Sequence, residues 1–454
     1  MSWVEWALAL GIFFPLLLYS FLMVNREVSS RSETPKIFEI KSIALDYFQK
    51  IFKSFGSPYS WNSTNWEEIG LASYLYRIPI LVEENASLNR ELEPVDIHLI
   101  LDEDCENRAL NSTIRLFSEG REIPFDLHSI VYCSPGYIKE ANLVFFANVS
   151  ANSSSFYYLY FSNDTSIKST SYPTDLIYSN YLENSKIRLN LTGEVSEIYN
   201  LQTSSPNLLA GRNFGIVQYN LTTNNLQETN ETSGTKSLII DSNFKKVVQI
   251  SGSKDWYDYK INITLYAYQN YFIFRSWVKE KVDVVVHDFK NPEANLYSSF
   301  ENIAFRNQSG IFVSSSLSGN VPNASWIAPY NSSGVDSLAI LTKNYSSWQE
   351  AGWNNSGKDF SFSHILNEYD DQTLSLSSGQ EIFGDEVFVF PFKSTSYSEV
   401  ENFWKKISNP LIKKVYPAEK ILAISAGKLA ELKKINYTEA KKALGGYDFR
   451  IEIS

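Results

Sequence analysis

Across Tyr257-Asp258-Tyr259-Lys260-Ile261-Asn262-Ile263-Thr264-Leu265, every odd position is apolar and every even position is polar or charged. A period of two marks a strand with one face on a core and the other in water, the pattern of an antiparallel sheet. A turn near Gln269-Asn270 leads into a second apolar run, residues 271–278, which completes a hairpin. Short strands recur on both sides. Upstream they are read at residues 76–82, 95–101, 113–117, 130–133, 142–148 and 156–161, and downstream they continue to 386–392. So many single-faced strands bury their apolar sides most simply in sandwiches of two sheets. The 28 Tyr, 29 Phe and 10 Trp agree, since aromatic side chains suit half-buried pleated surfaces.

The ends read differently. Residues 6–24 carry no charge, just enough helix to span a bilayer. A secretory signal peptide is the alternative, but no basic region precedes the run and no small-x-small site follows it. Thr34-Pro35 then opens an amphipathic helix with Ile37, Ile40, Ala44, Phe48 and Ile51 on one face, closed by Gly56-Ser57-Pro58. Near the C-terminus, residues 400–407 and 418–434 have helical spacing, with Pro417 at a helix start. A short helix over 437–444 stops at Gly445-Gly446, and 447–453 alternates as a final strand.

Compartment is argued from two signals. Asn-x-Ser/Thr occurs sixteen times: at Asn62, Asn85, Asn111, Asn148, Asn152, Asn163, Asn190, Asn220, Asn230, Asn262, Asn307, Asn323, Asn331, Asn344, Asn354 and Asn436. Chance would give roughly six or seven in a chain of this composition. The excess points outside the cell and outweighs Arg26, Arg31 and Lys36, which by the positive-inside rule would hold the following chain in the cytoplasm. The two cysteines, Cys105 and Cys133, form a disulfide in such a setting, or remain as two buried thiols. A net charge of −11 excludes binding through nucleic-acid phosphates.

Chemistry is sparse along the chain. His98, His128, His287 and His364 stand far apart, without metal-ligand or catalytic spacing. No Gly-x-Ser-x-Gly elbow or phosphate loop occurs. Asp102-Glu103-Asp104 with Glu106 could hold Ca²⁺ through hard oxygens, or form a solvated strand end; Asp370-Asp371 is weaker. Apart from Ca²⁺, no cofactor is expected. Trp326, Trp348 and Trp353 could stack on sugar rings or pack in the core.

Two regions carry resemblances. Ser57-Pro58-Tyr59-Ser60-Trp61-Asn62 with Ile69-Gly70-Leu71-Ala72, and Asn436-Tyr437-Thr438-Glu439-Ala440-Lys441 through Tyr447-Asp448-Phe449-Arg450-Ile451-Glu452-Ile453, resemble the two halves of archaeal pilin-like surface proteins. The resemblance implies a small scaffold split by a large β-insertion, with its two ends meeting in space. It also implies an assembly role for Glu5, at the position where type IV pilins carry a glutamate; an interfacial Glu5 is the plainer reading. Pilins also have a basic leader, and one ahead of Met1 would remove the conflict with the positive-inside rule. Tyr76-Arg77-Ile78-Pro79-Ile80, Arg121-Glu122-Ile123-Pro124-Phe125 and Tyr157-Tyr158-Leu159-Tyr160-Phe161 resemble a β-domain family of secreted prokaryotic proteins without an assigned role. The larger sandwich is similar to galactose-mutarotase-like domains in strand spacing only.

These readings give a mainly β chain with an N-terminal transmembrane and amphipathic helix and C-terminal helices, its two β-sandwich-type domains inserted in a pilin-like scaffold. The expected division is an anchor (1–25), a stalk helix (26–58), a scaffold segment (59–74), a β-domain with the disulfide (75–165), a linker (166–185), a large sandwich (186–395) and the C-terminal helices with the closing strand (396–454). The expected function is a non-enzymatic, membrane-anchored surface glycoprotein, structural or adhesive. It would meet its own copies in a pilus-like assembly, surface glycans or an S-layer. The alternatives are a membrane-tethered carbohydrate-active enzyme, or an accessory subunit of a surface membrane complex.

Overall fold

A computed structural model describes residues 75–425, apart from short segments at 120, 192–193, 204–206, 210–213, 230–233, 297–299, 316–317, 344–349, 355–358 and 366–372, together with residues 449–453. The anchor, the stalk helix and residues 59–74 lie outside these bounds, as does the expected helix over 437–444. Among the described residues no helix is long and apolar enough to cross a membrane.

The first sandwich grows from Tyr76–Glu83, whose Ile78, Ile80 and Val82 all point into a core. The strand pairs antiparallel with Ser154–Phe161 along its whole length. Facing it is a three-stranded sheet in the order Arg90–Ile100, Tyr137–Val149, Phe125–Ser134. Leu143, Phe145 and Ala147 of its middle strand close the same core. Cys105 and Cys133 are disulfide-bonded across 28 residues. On the chain-entropy account such a closed loop stabilises the fold by about 3 kcal/mol.

The second sandwich is larger. One sheet runs Thr235–Asp241, Lys245–Ser253, Tyr257–Tyr266, Phe272–Glu280, Val387–Lys393, Asp336–Thr342, Trp326–Tyr330, Asn302–Asn307, Gly310–Ser314. Tyr257, Tyr259, Ile261, Ile263 and Leu265 face inward, the stripe that the alternation demands. The hairpin partner is Phe272–Glu280, in register from Tyr257 opposite Glu280 to Leu265 opposite Phe272. The opposing sheet runs Asn225–Glu228, Gly215–Asn220, Val284–Asn295, Asp359–Ile365, Glu350–Asn354, Ser318–Pro322. Part of the expected linker is ordered as strand: Tyr181–Glu183 pairs with Ile187–Asn190, and Leu182 and Leu189 enter the large core.

The helix Ser398–Ser408 matches the spacing read at its end of the chain. Val400, Trp404 and Ile407 cover the outer face of the large sheet at Tyr271, Ile273, Phe388 and Phe390. Acidic Glu399 and Glu401 in its first turn and Lys405 and Lys406 in its last complement the helix dipole. Where the helix expected from Pro417 falls on described residues, they form a strand instead. Glu419–Ser425 is a strand that pairs with Tyr76 and Arg77 and, on its other edge, with the closing strand Phe449–Ile453. The continuous run Ile421-Leu422-Ala423-Ile424 suits a sheet strand as well as a helix, and its pairing with the closing strand Phe449–Ile453 decides it.

One strand joins the two sandwiches. Val144 and Phe146 alternate with the residues of the small core and so reach the large one, where Phe146 meets Phe244 with ring centroids 5.3 Å apart. Asp96 and Asp126 flank Val144 in register on the neighbouring strands. Asp126 Oδ2 accepts from Ser242 Oγ at 2.8 Å. Asp96 takes Lys245 Nζ at 2.6 Å, His128 Nε2 at 3.2 Å and Tyr266 OH at 3.4 Å. Burial pushes the Asp96 carboxyl up, but the His128 bond and the Lys245 charge more than offset it and hold the group at about 2, against 3.8 unperturbed. A depressed carboxylate stabilises the fold above its unfolded pKa and loses that contribution as pH falls through the folded one. Denaturant titrations from pH 4 to pH 2 should therefore show Asp96→Asn losing about 2 kcal/mol less than the parent chain. Equal losses in both would refute this role for Asp96.

Candidate functional site

The interior of the large sandwich is not apolar throughout. Two separate groups of buried polar side chains occur: Gln218, Trp256 and Glu280 are bonded to one another, while Glu194, Thr229 and Glu293 with its partner Lys290 form a second group. Gln218 points inward from Gly215–Asn220, and Glu280 ends the inward stripe Phe274-Ser276-Val278-Glu280. Lys290 and Glu293 pair with Val217 and Gly215, on the face away from Gln218 and Phe289, in a strand whose register with Asp359–Ile365 shifts twice between Phe289 and Glu293. Such bulges change which way successive side chains point.

Trp256 Nε1 donates to Gln218 Oε1 at 2.9 Å, and Gln218 Nε2 donates to Glu280 Oε1 at 3.0 Å. The indole thus fixes the amide, and the amide fixes one carboxyl oxygen. Glu280 Oε2 and Asn291 Nδ2 are both buried without a hydrogen-bond partner among the described residues. Asn291 Oδ1 accepts from the Ser276 hydroxyl at 2.7 Å. Burial raises the Glu280 acid to about 7, and the Gln218 donor offsets this only in part.

Glu194 is more deeply held. Burial drives its carboxyl well above the ordinary range; the Thr229 hydroxyl and Lys254 pull the other way, while Glu228 and Glu293 add to the rise. Gly215 makes room for it, since a Cβ there would lie 1.9 Å from Glu194 Oε2. Lys290 Nζ and Glu293 Oε1 form a buried ion pair at 2.9 Å. Glu280 is therefore a buried acid raised to about 7 with one carboxyl oxygen held and the other open, and the Glu194 group stands apart from it. Glu280 lies under the turn at residues 377–380, its N–H on Gln380 O at 3.0 Å and its carbonyl on Gly379 N at 2.8 Å.

The residues singled out from sequence lie elsewhere. Asp102 turns inward and accepts the N–H groups of Glu106 and Arg108 at 3.2 and 3.0 Å. Arg108 stands among Asp102, Asp104 and Glu106, and among the described residues no three metal-ligating side chains converge. His128 belongs to the Asp96 node. His98 is exposed beside Glu140 at 3.6 Å, and His287 meets the Tyr219 ring at 6.0 Å. Trp326 is fully buried and donates to Glu401 Oε2 at 3.1 Å. Trp348 and Glu5 lie outside the described residues. Of the sequons, Asn85, Asn111, Asn148, Asn152 and Asn163 are exposed and Asn190, Asn262, Asn307, Asn323 and Asn331 half-buried. Asn220 is buried and its Oδ1 accepts the Thr222 and Thr223 N–H groups. Sequence reading missed the buried cluster, although its signal was present: a glutamate on the apolar parity of a strong strand.

No protein-family model matches the chain, and no curated protein does. Among solved structures, an alpha-mannosidase from Enterococcus faecalis V583 matches 75% of this chain and 46% of its own, at 8% identity and a TM-score of 0.52. A glycosyl hydrolase family 38 protein from Enterococcus faecalis matches 75% of this chain and 47% of its own, at 9% identity and a TM-score of 0.50. This chain thus spans a little under half the length of either. A galactose mutarotase related enzyme from Lactobacillus acidophilus covers 48% of this chain at a TM-score of 0.28, too loose to define a common fold.

The architecture is the β-rich one shared with those two hydrolase structures. This corrects two expectations. The structural neighbours are carbohydrate-active enzymes rather than pilins, so the pilin-like scaffold falls. The non-enzymatic structural or adhesive reading is overturned on the same ground. Its physical basis was thin: the closing strand Phe449–Ile453, one of the motifs that carried it, is an edge strand of the small sandwich.

Proposed function

We propose that this chain is a carbohydrate-active enzyme that uses the large sandwich, with Glu280 moving a proton at a sugar C–O bond. The observation that supports it is the likeness in fold to an alpha-mannosidase over 75% of the chain. The cluster adds the chemistry. An acid that titrates near pH 7 is half protonated at working pH, which suits proton donation to a leaving oxygen. Substrate approaches from the end capped by residues 377–380, and the open hydrogen-bonding position at Glu280 Oε2 receives a sugar oxygen. The disulfide supports an extracellular setting, where such bonds persist.

The test is a panel of aryl glycosides, α-mannoside among them, together with free hexoses followed for anomer interconversion, across pH 5 to 9. The expected result is turnover of at least one sugar, with an ionisation near pH 7 in its rate profile. Absence of turnover across the panel, with no sugar binding by calorimetry, would remove this reading.

A further inference from the structure

The outer face of the strand Tyr257–Tyr266 is covered at one end and open at the other. Tyr266 meets Asp96 of the small sandwich, and Ile273 beside it is buried under the helix Ser398–Ser408. Further along the same face stand Asn262, opposite Arg275, and then Lys260, opposite Trp277. Lys260 Nζ lies 4.9 Å from the centre of the Trp277 ring. Trp277 Nε1 donates to Glu381 Oε2 at 3.4 Å, and Lys279 meets the same carboxylate at 3.4 Å. Phe383 is directly opposite Trp277 in the next strand and is 66% exposed, well above any other large apolar side chain among the described residues. An indole held in place beside a bare phenyl ring is a costly surface to leave in water.

The same face carries the attachment point that could cover it. Asn262-Ile263-Thr264 is a sequon in the middle of a regular strand. Gln249 Nε2 donates to Asn262 Oδ1 at 3.0 Å, which orients the amide. No hydrogen bond from Asn262 Nδ2 occurs among the described residues. Residues two apart on one strand face are about 6.7 Å apart, and the diagonal from Asn262 to Trp277 is about 7–8 Å. The small sandwich and the helix close the opposite direction, and Arg275 is drawn to Glu386 at 2.6 Å. A substituent on Asn262 has open room towards Lys260, Trp277 and Phe383, the apolar part of this face.

We propose that Asn262 carries an N-linked glycan whose first sugars lie across the Trp277–Phe383 platform and seal this face of the sheet. The donor is a lipid-phosphate-linked oligosaccharide. Asn262 Nδ2 forms a bond to the sugar C1 as the C1–O(phosphate) bond breaks. The lipid phosphate leaves with that electron pair, and the amide nitrogen gives up one proton to a base. The C–H faces of a pyranose ring then meet the aromatic rings, while Lys260 and Glu381 are within reach of its hydroxyls. Neither the alpha-mannosidase likeness nor Glu280 enters this argument.

The experiment uses the full chain purified from its native cells, with glycopeptide mass mapping and thermal unfolding. Thr264→Ala removes the sequon and leaves Asn262 with its Gln249 bond; Thr264→Ser keeps the sequon and controls for the lost methyl. The peptide holding Asn262 should carry glycan in the parent and in Thr264→Ser, and none in Thr264→Ala. Trp277→Ala should lower Tm by about 2–4 °C in the glycosylated chain and by much less in the Thr264→Ala background. An unmodified Asn262 peptide in the parent overturns the proposal. So does a Trp277→Ala effect of equal size with and without the glycan, because the ring would then serve the sheet alone.

Discussion

Glu280→Gln should lower turnover of whichever sugar the chain accepts by about 100-fold or more, the usual worth of a positioned proton donor. It should also make the protein more stable at pH 8 than the parent, and these opposite signs are what make the experiment decisive. The parent's acid sits at about 7 in the folded state against 4.5 unperturbed. A carboxyl raised on folding keeps its proton where the unfolded chain has released it, so stability declines as pH rises from about 4.5 to about 7 and then levels off. The full decline is on the order of 3 kcal/mol. Glutamine does not titrate, keeps an oxygen for the Gln218 donor at 3.0 Å, and leaves Trp256 and Gln218 in their places. The variant's stability curve should be flatter by about that amount, as read from denaturant midpoints at pH 4.5 and pH 8. A flattened curve with unchanged turnover would keep the buried acid and remove its catalytic role. Unchanged slope and unchanged turnover would remove both.

How far this arrangement could be read from sequence depends on where the information lies. The strand Tyr257–Tyr266 was legible because alternation is a local property, and its inward Tyr257, Tyr259, Ile261, Ile263 and Leu265 are core residues. The helix Ser398–Ser408 was legible for the same reason, with Val400, Trp404 and Ile407 on one side. Glu419–Ser425 was misread because its identity as a strand depends on partners outside its own stretch, Phe449–Ile453 along most of its length and Tyr76 and Arg77 at its start. The candidate site was illegible as a motif. Gln218, Trp256 and Glu280 come from three stretches, and no two of them stand at a spacing that chemistry recognises along a chain. Only parity could have exposed Glu280: position 280 continues the buried series 272, 274, 276 and 278, where a carboxylate is expensive unless partnered. The pilin resemblance failed differently. Short matches at the two ends weighed more than the long β-region between them, which is where the fold is decided.

Trp326→Ala should cost about 3–5 kcal/mol of stability, the range for removing a large aromatic from a packed interior. Sequence alone leaves Trp326 open as a sugar platform, so the outcome bears on function as well. The ring is fully buried among Ala304, Ala328, Leu341 and Val400, where the helix Ser398–Ser408 seats on the sheet. Its Nε1 donates to Glu401 Oε2 at 3.1 Å, and Arg306 Nη1 meets the other oxygen, Oε1, at 2.8 Å. The guanidinium also lies over the Trp404 ring, 4.5 Å from its centre. Alanine would open a cavity beneath the helix and take a donor from a largely buried carboxylate, so the helix should loosen as a unit. Trp326→Phe separates the two contributions: it fills most of the space and removes only the N–H, and should cost about 1.5–3 kcal/mol, as for a hydrogen bond to a charged group. Urea unfolding of both variants gives the comparison, with hydrogen exchange at residues 398–408 reporting whether the helix is the part released. If Trp326→Ala left stability within 1 kcal/mol of the parent while abolishing sugar turnover, the ring would be a ligand platform and its burial here a closed state of that site. The hydrogen bond to Glu401 and the close packing above it argue for the first outcome, with turnover unchanged where the variant remains folded.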